Sequence, residues 1–319
     1  MKKYKAISLF AGIGGICKGL INNDIDVIWA NDNDKNACIT YRANYPNTQM
    51  VEKNIEDISV SEVPNADILT FGFPCTSFSI AGYQKGLEDE RTGHLFFEAL
   101  RILKGIQPKV FILENVKNLV GHDKGKTFKI MKEALEDAGY HFRYKVLNTA
   151  EYANIPQNRE RIFVVGFKNK TAAEKFFFPD PIPLTKTIHD LIDITDKKDD
   201  KYYYENTKYY PMLKEAMTNK DTVYQLRRVY VRENKSNLCP TLTANMGTGG
   251  HNVPLIIDNF GIRKLTPKEC FAFQGFDDDF IIPDKMANSH LYKQAGNAVT
   301  VGVIDRITKH IIKVLNTTN

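Results

Sequence analysis

The sequence contains few cysteines, and none of them is arranged for disulfide or metal chemistry. The five cysteines, at positions 17, 38, 75, 239 and 270, include no Cys-x-x-Cys pair and no Cys/His group with zinc spacing. An odd number of dispersed thiols is typical of a protein in a reducing compartment. We therefore predict neither a disulfide framework nor a structural metal site.

Long hydrophobic runs and a strong charge of either sign are also lacking. No stretch approaches the roughly 20 apolar residues that a membrane helix needs, and residues 1–5 lead into a strand without a signal-peptide core. We therefore expect a cytosolic protein that does not enter a membrane. The 43 Lys and Arg residues against 38 Asp and Glu give a net charge of +5, which permits a polyanionic partner without demanding one.

Residues 5 to about 170 alternate strand-like and helix-like segments. This alternation predicts an α/β fold, with a mostly parallel sheet and helices on both of its faces. The predicted strands are 6–10, 26–30, 67–71, 109–113, 142–147 and 161–167, and the predicted helices are 14–22, 35–44, 93–105 and 127–138.

The alternation stops near a proline-rich stretch at 176–183, and residues up to about 262 are irregular, polar and aromatic. We therefore predict a larger α/β domain of residues 1–180 and 290–319, and a smaller β-rich domain with a hinge at 181–289. The smaller domain contains a locally basic strip, formed by Arg227, Arg228, Arg232 and Lys235. Such a strip fits either a nucleic-acid contact or a simply solvated face.

Cys75 lies in a tight loop directly after the apolar run 66–71, which Gly72 and Pro74 end abruptly. Free cysteines are most often buried and inert. This thiol, however, is predicted to project from the carboxyl edge of the sheet, where ligands bind in open α/β folds. Cys75 is therefore a candidate nucleophile.

Glycines occupy segment 10–15 (FAGIGG), between the first strand and the first helix. Such glycines let the backbone approach a ligand, although they also serve in turns without ligands. Asp32 follows Gly14 by 18 residues, close to the spacing at which a carboxylate reaches a ribose. A helix N-cap is the alternative for Asp32, but Asp34 fits that role better. Because residues 16–18 lack the third glycine of the dinucleotide fingerprint, we expect an adenosyl ligand without a pyrophosphate.

Two further strand ends carry polar groups. Glu114 follows a buried strand and is either a solvated strand end or an acid at the same edge as Cys75. Alternation along an extended segment would place Gln157, Arg159 and Arg161 on one face. They would form a group of donors suited to a carbonyl oxygen or phosphates, unless Glu160 pairs with the arginines instead.

Taken together and in this order, these motifs resemble the DNA (cytosine-5) methyltransferases of prokaryotic restriction–modification systems. The likeness covers most of the chain outside residues 170–240. The matching elements are Phe10-Ala11-Gly12-x-Gly14-Gly15, Gly72-Phe73-Pro74-Cys75-x-x-Phe78-Ser79, Glu114-Asn115-Val116, Gln157-x-Arg159-x-Arg161, Arg263-Lys264-Leu265-Thr266-Pro267-x-Glu269 and Gln294-x-Gly296-Asn297-Ala298-Val299.

The resemblance implies a Rossmann-like sheet that binds S-adenosylmethionine and methylates C5 of a cytosine flipped out of duplex DNA. Cys75 would add to C6 of the base, and Glu114 would bind its N3 and exocyclic amine. Arg161, with Arg159, would stabilise charge at O2.

The resemblance also implies which residues hold the cofactor. Asp32 would take the ribose hydroxyls, and Asn54 replaces an aspartate that the family often uses to read adenine; its oxygen can still accept from the amine. The full predicted set is Phe10, Gly12, Gly14, Gly15, Asp32, Asn33, Asn54, Ile55, Gly72, Pro74, Asn297 and Ala298.

For DNA, segment 79–92 resembles the family's mobile loop, and residues 181–262 match its target-recognition region in position. The predicted DNA contacts are Ser77, Ser79, Gln157, Arg227, Arg228, Arg232, Thr241 and Thr243. A monomer is expected, and a cognate restriction endonuclease would fit the family without forming a stable complex. The alternatives are a tRNA cytosine-5 methyltransferase and a catalytically inactive DNA-binding regulator.

Overall fold

The computed structural model describes residues 4–74, 94–227, 229–234, 236–248 and 253–318. The chain divides into two compact units. Unit 1 comprises Met1–Leu147, Glu160–Asp180 and Val303–Asn319, and unit 2 comprises Asn148–Arg159 and Pro181–Gly302. One boundary between the units lies between Asp180 and Pro181, and residues 148–159 and 290–302 belong to unit 2. The division into domains of residues 1–180 with 290–319 and of residues 181–289 stays a prediction.

Unit 1 is built around a seven-stranded sheet, and β7 belongs to unit 2. In chain order these strands are β1 (Lys5–Leu9), β2 (Asp26–Asp32), β3 (Gln49–Glu52), β4 (Ile68–Phe71), β5 (Val110–Val116), β6 (His141–Asn148), β7 (Gln157–Asn158) and β8 (Glu160–Phe167). The sheet order is β3-β2-β1-β4-β5-β8-β6. β3, β2, β1, β4 and β5 pair in parallel, whereas β8 is antiparallel to β5. All four residues of β4 are buried, which requires cover on both faces of the sheet. The predicted α/β class is confirmed.

The helices confirm the predicted alternation with strands. They are α1 (Gly15–Ile21), α2 (Lys35–Asn44), α3 (His94–Ile106), α4 (Lys126–Asp137), α5 (Thr149–Ala153), α6 (Lys170–Lys175), α7 (Tyr210–Ala216), α8 (Pro267–Ala272), α9 (Asn288–Asn297) and α10 (Val301–Thr317). In α3, Phe96, Ala99, Leu100 and Leu103 are buried, the spacing that turns one helical face toward a core. Within the described ranges, no helix is both long and apolar enough to span a membrane.

Unit 2 contains two small sheets. Its other strands are β9 (Tyr224–Leu226), β10 (Val231–Glu233), β11 (Cys239–Pro240), β12 (Leu255–Ile257) and β13 (Ile262–Lys264). β10, β9, β12 and β13 form an antiparallel sheet in that order, and β11 pairs in parallel with β7.

A buried ion cluster ties β13 to α8 within unit 2. The guanidinium of Arg263 has no solvent exposure and donates to Asp258 at 2.6 Å and to both oxygens of Glu269 at 2.7 and 2.8 Å. Glu269 also accepts from the backbone N–H of Thr266, the N-cap residue of α8. Because the cluster is buried, its charged groups are stabilised by one another and not by water.

We predict that Arg263→Ala destabilises the protein by about 3–5 kcal/mol, because it leaves two buried carboxylates without their counter-charge. Lys268→Ala is the control, since Lys268 is an exposed cation whose partner Asp278 is more exposed still, and its loss should cost less than about 1 kcal/mol. Urea unfolding measures both. A loss below about 1 kcal/mol for Arg263→Ala would show that the cluster does not stabilise unit 2.

Candidate active site

The strand order creates a topological switch point between β1 and β4. β2 and β3 lie on one side of this pair and β5 on the other, so the chain leaves the two strands in opposite directions. Leu9 pairs with Phe71 at their carboxyl ends. Open α/β sheets bind ligands in the crevice outside the strand ends at such a point. Segments 10–15 and 72–74, which follow the two strands, therefore flank a ligand-binding position.

Glycine is required in segment 10–15 for two different reasons. Gly12 and Gly14 have φ values of 55° and 86°, in the left-handed region that glycine enters without a Cβ penalty. A Cβ on Gly14 would overlap the ring of Tyr45, whose hydroxyl donates to the Gly14 carbonyl at 3.0 Å. Among the residues that the structure describes, none has an atom within 4 Å of a Cβ on Gly12. Gly14 is thus fixed by packing, whereas no described residue occupies the space beside Gly12.

Phe10 begins this loop in a conformation that is uncommon for a residue with a side chain. Its φ is 53°, and such left-handed residues cost free energy and concentrate at binding sites. The partly exposed residue packs against the hydrophobic core of unit 1. The buried Gly15 follows at the start of α1. The loop therefore holds one aromatic ring at the switch point.

Asp32 ends β2 and is hydrogen-bonded to the glycine loop. Its Oδ2 accepts from the backbone N–H of Gly12 at 2.8 Å, and its Oδ1 accepts from that of Asp34 at 2.8 Å. Burial is the main cause that raises the pKa of this carboxyl, and the two N–H donors oppose it. Asp34 accepts from two N–H groups at the start of α2, which confirms that Asp34, and not Asp32, is the N-cap.

Asn33 and Asn54 join the carboxyl ends of β2 and β3. The amide of Asn33 donates to Oδ1 of Asn54 at 3.1 Å, and Asn54 in turn donates to Asp57 at 3.3 Å. Both asparagines are exposed, whereas the neighbouring Ile55 is buried. The structure thus brings together the Asp32-Asn33 and Asn54-Ile55 pairs that the sequence predicted as cofactor contacts.

The chain after β4 is held by a side chain from β5. The amide of Asn115 donates to the carbonyl oxygen of Phe73 at 2.9 Å, and both residues are buried. A Cβ on Gly72 would lie 3.2 Å from Oε2 of Glu114, so the backbone of Gly72 passes close to that carboxylate. Pro74 is exposed. Asn115 therefore positions the segment that leads in sequence to Cys75.

Glu114 and Arg161 form an ion pair across the antiparallel strands β5 and β8. Nε of Arg161 lies 3.2 Å from Oε1 of Glu114, and the two side chains are only 16% and 10% exposed. Phe163 is the direct cross-strand partner of Glu114, so Arg161, two residues away, lies on the same face of the sheet. A carboxylate and a guanidinium are thus set side by side at the strand end.

The alternative, in which Glu160 neutralises the neighbouring arginines, is not realised in the structure. Both carboxylate oxygens of Glu160 bind Nζ of Lys117 at 2.9 Å. Only the Glu160 backbone carbonyl contacts Arg161, accepting from Nη1 at 2.9 Å. Arg161 therefore keeps Glu114 as its carboxylate partner.

Gln157 and Arg159 are placed differently from Arg161. Arg159 is buried, and its guanidinium donates to the backbone carbonyls of Leu242, Gly296 and Ala298 at 2.7, 3.1 and 2.8 Å. Gln157 is fully buried and donates to the carbonyl of Phe273 at 2.6 Å. We therefore correct two expectations, since a DNA contact by Gln157 and a direct catalytic role for Arg159 do not fit side chains enclosed in unit 2.

The predicted Thr-Leu element and the end of α9 meet in unit 2. Thr241 donates to the carbonyl of Asn158 at 2.6 Å, whereas Thr243 is exposed. A Cβ on Gly296 would overlap the backbone of Thr243 and Ala244, so this glycine is required by close approach. Asn297, the last residue of α9, is exposed, and the following Ala298 is buried.

The remaining predicted DNA contacts divide into two groups. Arg227 and Arg232 are exposed and belong to the hairpin of β9 and β10. The second group, Ser77, Ser79 and Arg228, lies outside the described ranges. The predicted nucleophile Cys75 and the loop at 79–92 lie outside them as well.

Sequence reasoning assigned no role to Asn115 or Tyr45, although both hold site loops through backbone carbonyls. Asn115 had a detectable signal, because a polar residue followed Glu114 at the end of an apolar strand. Tyr45 had none, since its partner Gly14 lies 31 residues away. Such contacts depend on how helices pack, which local patterns do not determine.

The seven-stranded sheet and its helices form a Rossmann-like α/β fold. The chain belongs to the family of C-5 cytosine-specific DNA methylases, whose model matches residues 4–313. It is 58% identical over 309 residues to the Type II methyltransferase M.Bsp6I of Bacillus sp. (strain RFL6), covering 96% of this chain and 98% of that one. The Type II methyltransferase M.SsoII of Shigella sonnei is 37% identical over 317 residues, covering 98% of this chain and 81% of that one.

Solved structures share the fold at lower identity. The crystal structure of the S. pombe Dnmt2 methyltransferase matches with a TM-score of 0.76 and 17% identity, covering 98% of this chain and 100% of that one. A structural likeness at this identity shows the common fold alone.

We predict that Gly14→Ala destabilises the protein by about 2–5 kcal/mol, because a left-handed alanine is strained and its Cβ overlaps Tyr45. Gly12→Ala should cost only about 1–2 kcal/mol, since it carries the conformational penalty alone. Urea unfolding of both variants separates the two effects. Equal losses would show that packing against Tyr45 is not what fixes Gly14.

We predict that Asp32 makes the protein less stable as the pH rises from about 4 towards neutral. Its pKa is raised on folding above the ordinary value of 3.8, so its contribution is full below that pH and is lost as the folded carboxyl ionises. The measurement is the free energy of unfolding of the wild type minus that of Asp32→Asn, followed against pH without cofactor. A difference that stays constant or grows with pH would contradict this assignment.

Proposed function

We propose that this protein is an S-adenosylmethionine-dependent DNA (cytosine-5)-methyltransferase acting on a cytosine within a specific duplex sequence. The observation that carries the proposal is the Glu114–Arg161 pair at the carboxyl edge of the sheet, beside the segment that leads into Cys75. A carboxylate can bind the amine edge of a cytosine, and a guanidinium can bind its O2. The family to which the chain belongs indicates methyl transfer to a cytosine as the reaction in which this pair acts.

The residues around the switch point fit an adenosyl cofactor. Asp32 accepts the backbone N–H groups of Gly12 and Asp34, and a carboxylate offers about four acceptor positions, which suits a ribose diol. No described residue occupies the space beside Gly12, so a ligand can lie against this backbone, and Phe10 offers an aromatic surface for adenine. When bound, S-adenosylmethionine supplies an electrophilic methyl group. Asn297 and Ala298 are assigned to its site from the family motif alone.

Cys75 acts as the nucleophile in this proposal. Its thiolate forms a bond to C6 of the cytosine, which turns C5 into a carbon nucleophile. Glu114 holds the proton at N3 and accepts from the exocyclic amine, while Arg161 stabilises the charge that develops at O2. Once C5 carries the transferred methyl group, solvent takes the C5 proton, and the electron pair of the C5–H bond forms the C5=C6 double bond. The C6–S bond breaks in the same elimination, and its electron pair leaves with the Cys75 thiolate.

Gln157 and Arg159 support this chemistry from a distance. They bind backbone atoms of the Thr-Leu element and of the end of α9, so they are positioning residues. The burial of both side chains makes their geometry insensitive to solvent, because competing water is excluded.

The substrate in this proposal is duplex DNA, from which the target base is flipped to reach Cys75. The relatives named above are Type II methyltransferases, and we infer the same setting here, a monomer working in the bacterial cytosol or nucleoid. A cognate endonuclease would recognise the same DNA sequence without a stable complex.

We predict that Cys75→Ala abolishes methyl transfer to DNA and that Glu114→Gln lowers kcat by about 10²–10³-fold. Glu160→Gln is the matched control, because its carboxylate pairs with Lys117 at the surface and should leave kcat within about twofold. Bisulfite sequencing and tritiated methyl transfer measure activity. Covalent trapping on duplexes containing 5-fluorocytosine reports the Cys75 adduct directly.

Three outcomes would overturn parts of this assignment. Methylation of tRNA but not of duplex DNA would establish the RNA alternative. Specific DNA binding without trapping or methylation would indicate an inactive regulator. A Cys75→Ala variant that is still trapped would exclude Cys75 as the nucleophile.

A further inference from the structure

The strands β9 and β10 form a short ribbon with two chemically different faces. The antiparallel register pairs Leu226 with Val231 and Gln225 with Arg232. Tyr224 and Leu226 are buried, and Val231 packs against the same core cluster of unit 2. Because strand side chains alternate, Gln225 and Arg232 lie together on the opposite, outer face. The inner face therefore anchors the ribbon to the core of unit 2, and the outer face is free of that core.

The outer face carries hydrogen-bonding groups in an ordered arrangement. Arg227, two residues after Gln225, is exposed and lies on the same side, where its Nη2 donates to Oε1 of Gln225 at 3.0 Å. This bond orients a guanidinium whose remaining N–H donors are accessible. Arg232 is also exposed, and no acidic side chain in the described ranges forms an ion pair with it. Glu233 pairs with Tyr224 on the core side.

The turn of the ribbon, residues 227–230, combines arginines with exposed apolar residues. Val229 is 84% exposed and Tyr230 is 54% exposed, although hairpin tips in water usually carry polar residues. The backbone N–H of Arg227 donates to the carbonyl of Tyr230 at 2.8 Å, which closes the turn. Two adjacent exposed apolar side chains between two cations suit a partner that offers both phosphates and flat ring edges.

We propose that this ribbon reads the DNA sequence through the major groove, with Arg227 and Arg232 each recognising a guanine. This proposal rests on the proposed function and assigns its sequence specificity to named residues. A two-stranded ribbon fits the width of the major groove, and an arginine binds O6 and N7 of guanine with two hydrogen bonds. Gln225 positions Arg227, and the Val229–Tyr230 tip contacts base edges such as the methyl group of thymine.

The alternative role for these arginines is attachment to phosphates. A phosphate contact strengthens binding to every sequence equally and makes it more sensitive to salt. A guanine contact instead changes which sequences are methylated. The two roles therefore differ in a measurable way, and the backbone of the ribbon is not altered when exposed side chains are removed.

The test begins with the wild-type recognition sequence, mapped by bisulfite sequencing of a methylated plasmid. The kcat/KM of each variant is then measured on the mapped site and on duplexes that replace one base pair at a time. Arg227→Ala and Arg232→Ala should each reduce discrimination at one G·C position by about 5- to 150-fold. Gln225→Ala should relax the same position as Arg227→Ala, to a smaller extent.

Lys313→Ala is the control that matches the charge change, since Lys313 is exposed on α10, in unit 1. It should leave discrimination unchanged, and the melting temperatures of all variants should match the wild type. A uniform fall on every duplex with a smaller salt dependence would show phosphate contacts and overturn base reading. Unchanged kinetics would exclude the ribbon from the interface. A wild type that methylates no DNA would instead refute the proposed function itself.

Discussion

The parallel pairing of β1 with β4 is the constraint on which the candidate site depends. It brings the carboxyl ends of two strands together while their following segments diverge, so one crevice receives both loops. The glycine loop and Asp32 lie at the β1 and β2 ends. Glu114 lies at the end of β5, beside the backbone that follows β4. The residues proposed to bind the cofactor and the Glu114–Arg161 pair proposed to bind the cytosine thus lie along one edge of one sheet.

A common device holds the loops of both units, namely a buried side chain that donates to backbone carbonyls. Asn115 binds the carbonyl of Phe73, and Arg159 binds three carbonyls of unit 2. Carbonyls that are not in helices or strands need such partners when they are buried. Each bond satisfies a side-chain N–H and a backbone carbonyl. Hydrogen bonds therefore hold these loops in place. Polar residues in the motifs therefore serve geometry as well as chemistry.

Much of this could be predicted from the sequence, because local patterns determine local structure. Six of the seven strands in the sheet of unit 1 follow from hydrophobic periodicity, whereas the short β3 was not predicted. Asp34 caps α2 because it directly precedes that helix. Alternation also placed Gln157, Arg159 and Arg161 on one face. It did not show that unit 2 covers the first two, because alternation says nothing about what packs on a face. The same limit hid the contacts of Tyr45 and Gly296, whose partners are distant in sequence.

The most direct test of the central claim is the chemical identity of the methylated base. Purified protein would be incubated with duplex DNA and S-adenosylmethionine, and the digested nucleosides would be separated and weighed by mass spectrometry. The account predicts that 5-methylcytosine is the only methylated nucleoside formed. N4-methylcytosine, N6-methyladenine or no methylated product would contradict it.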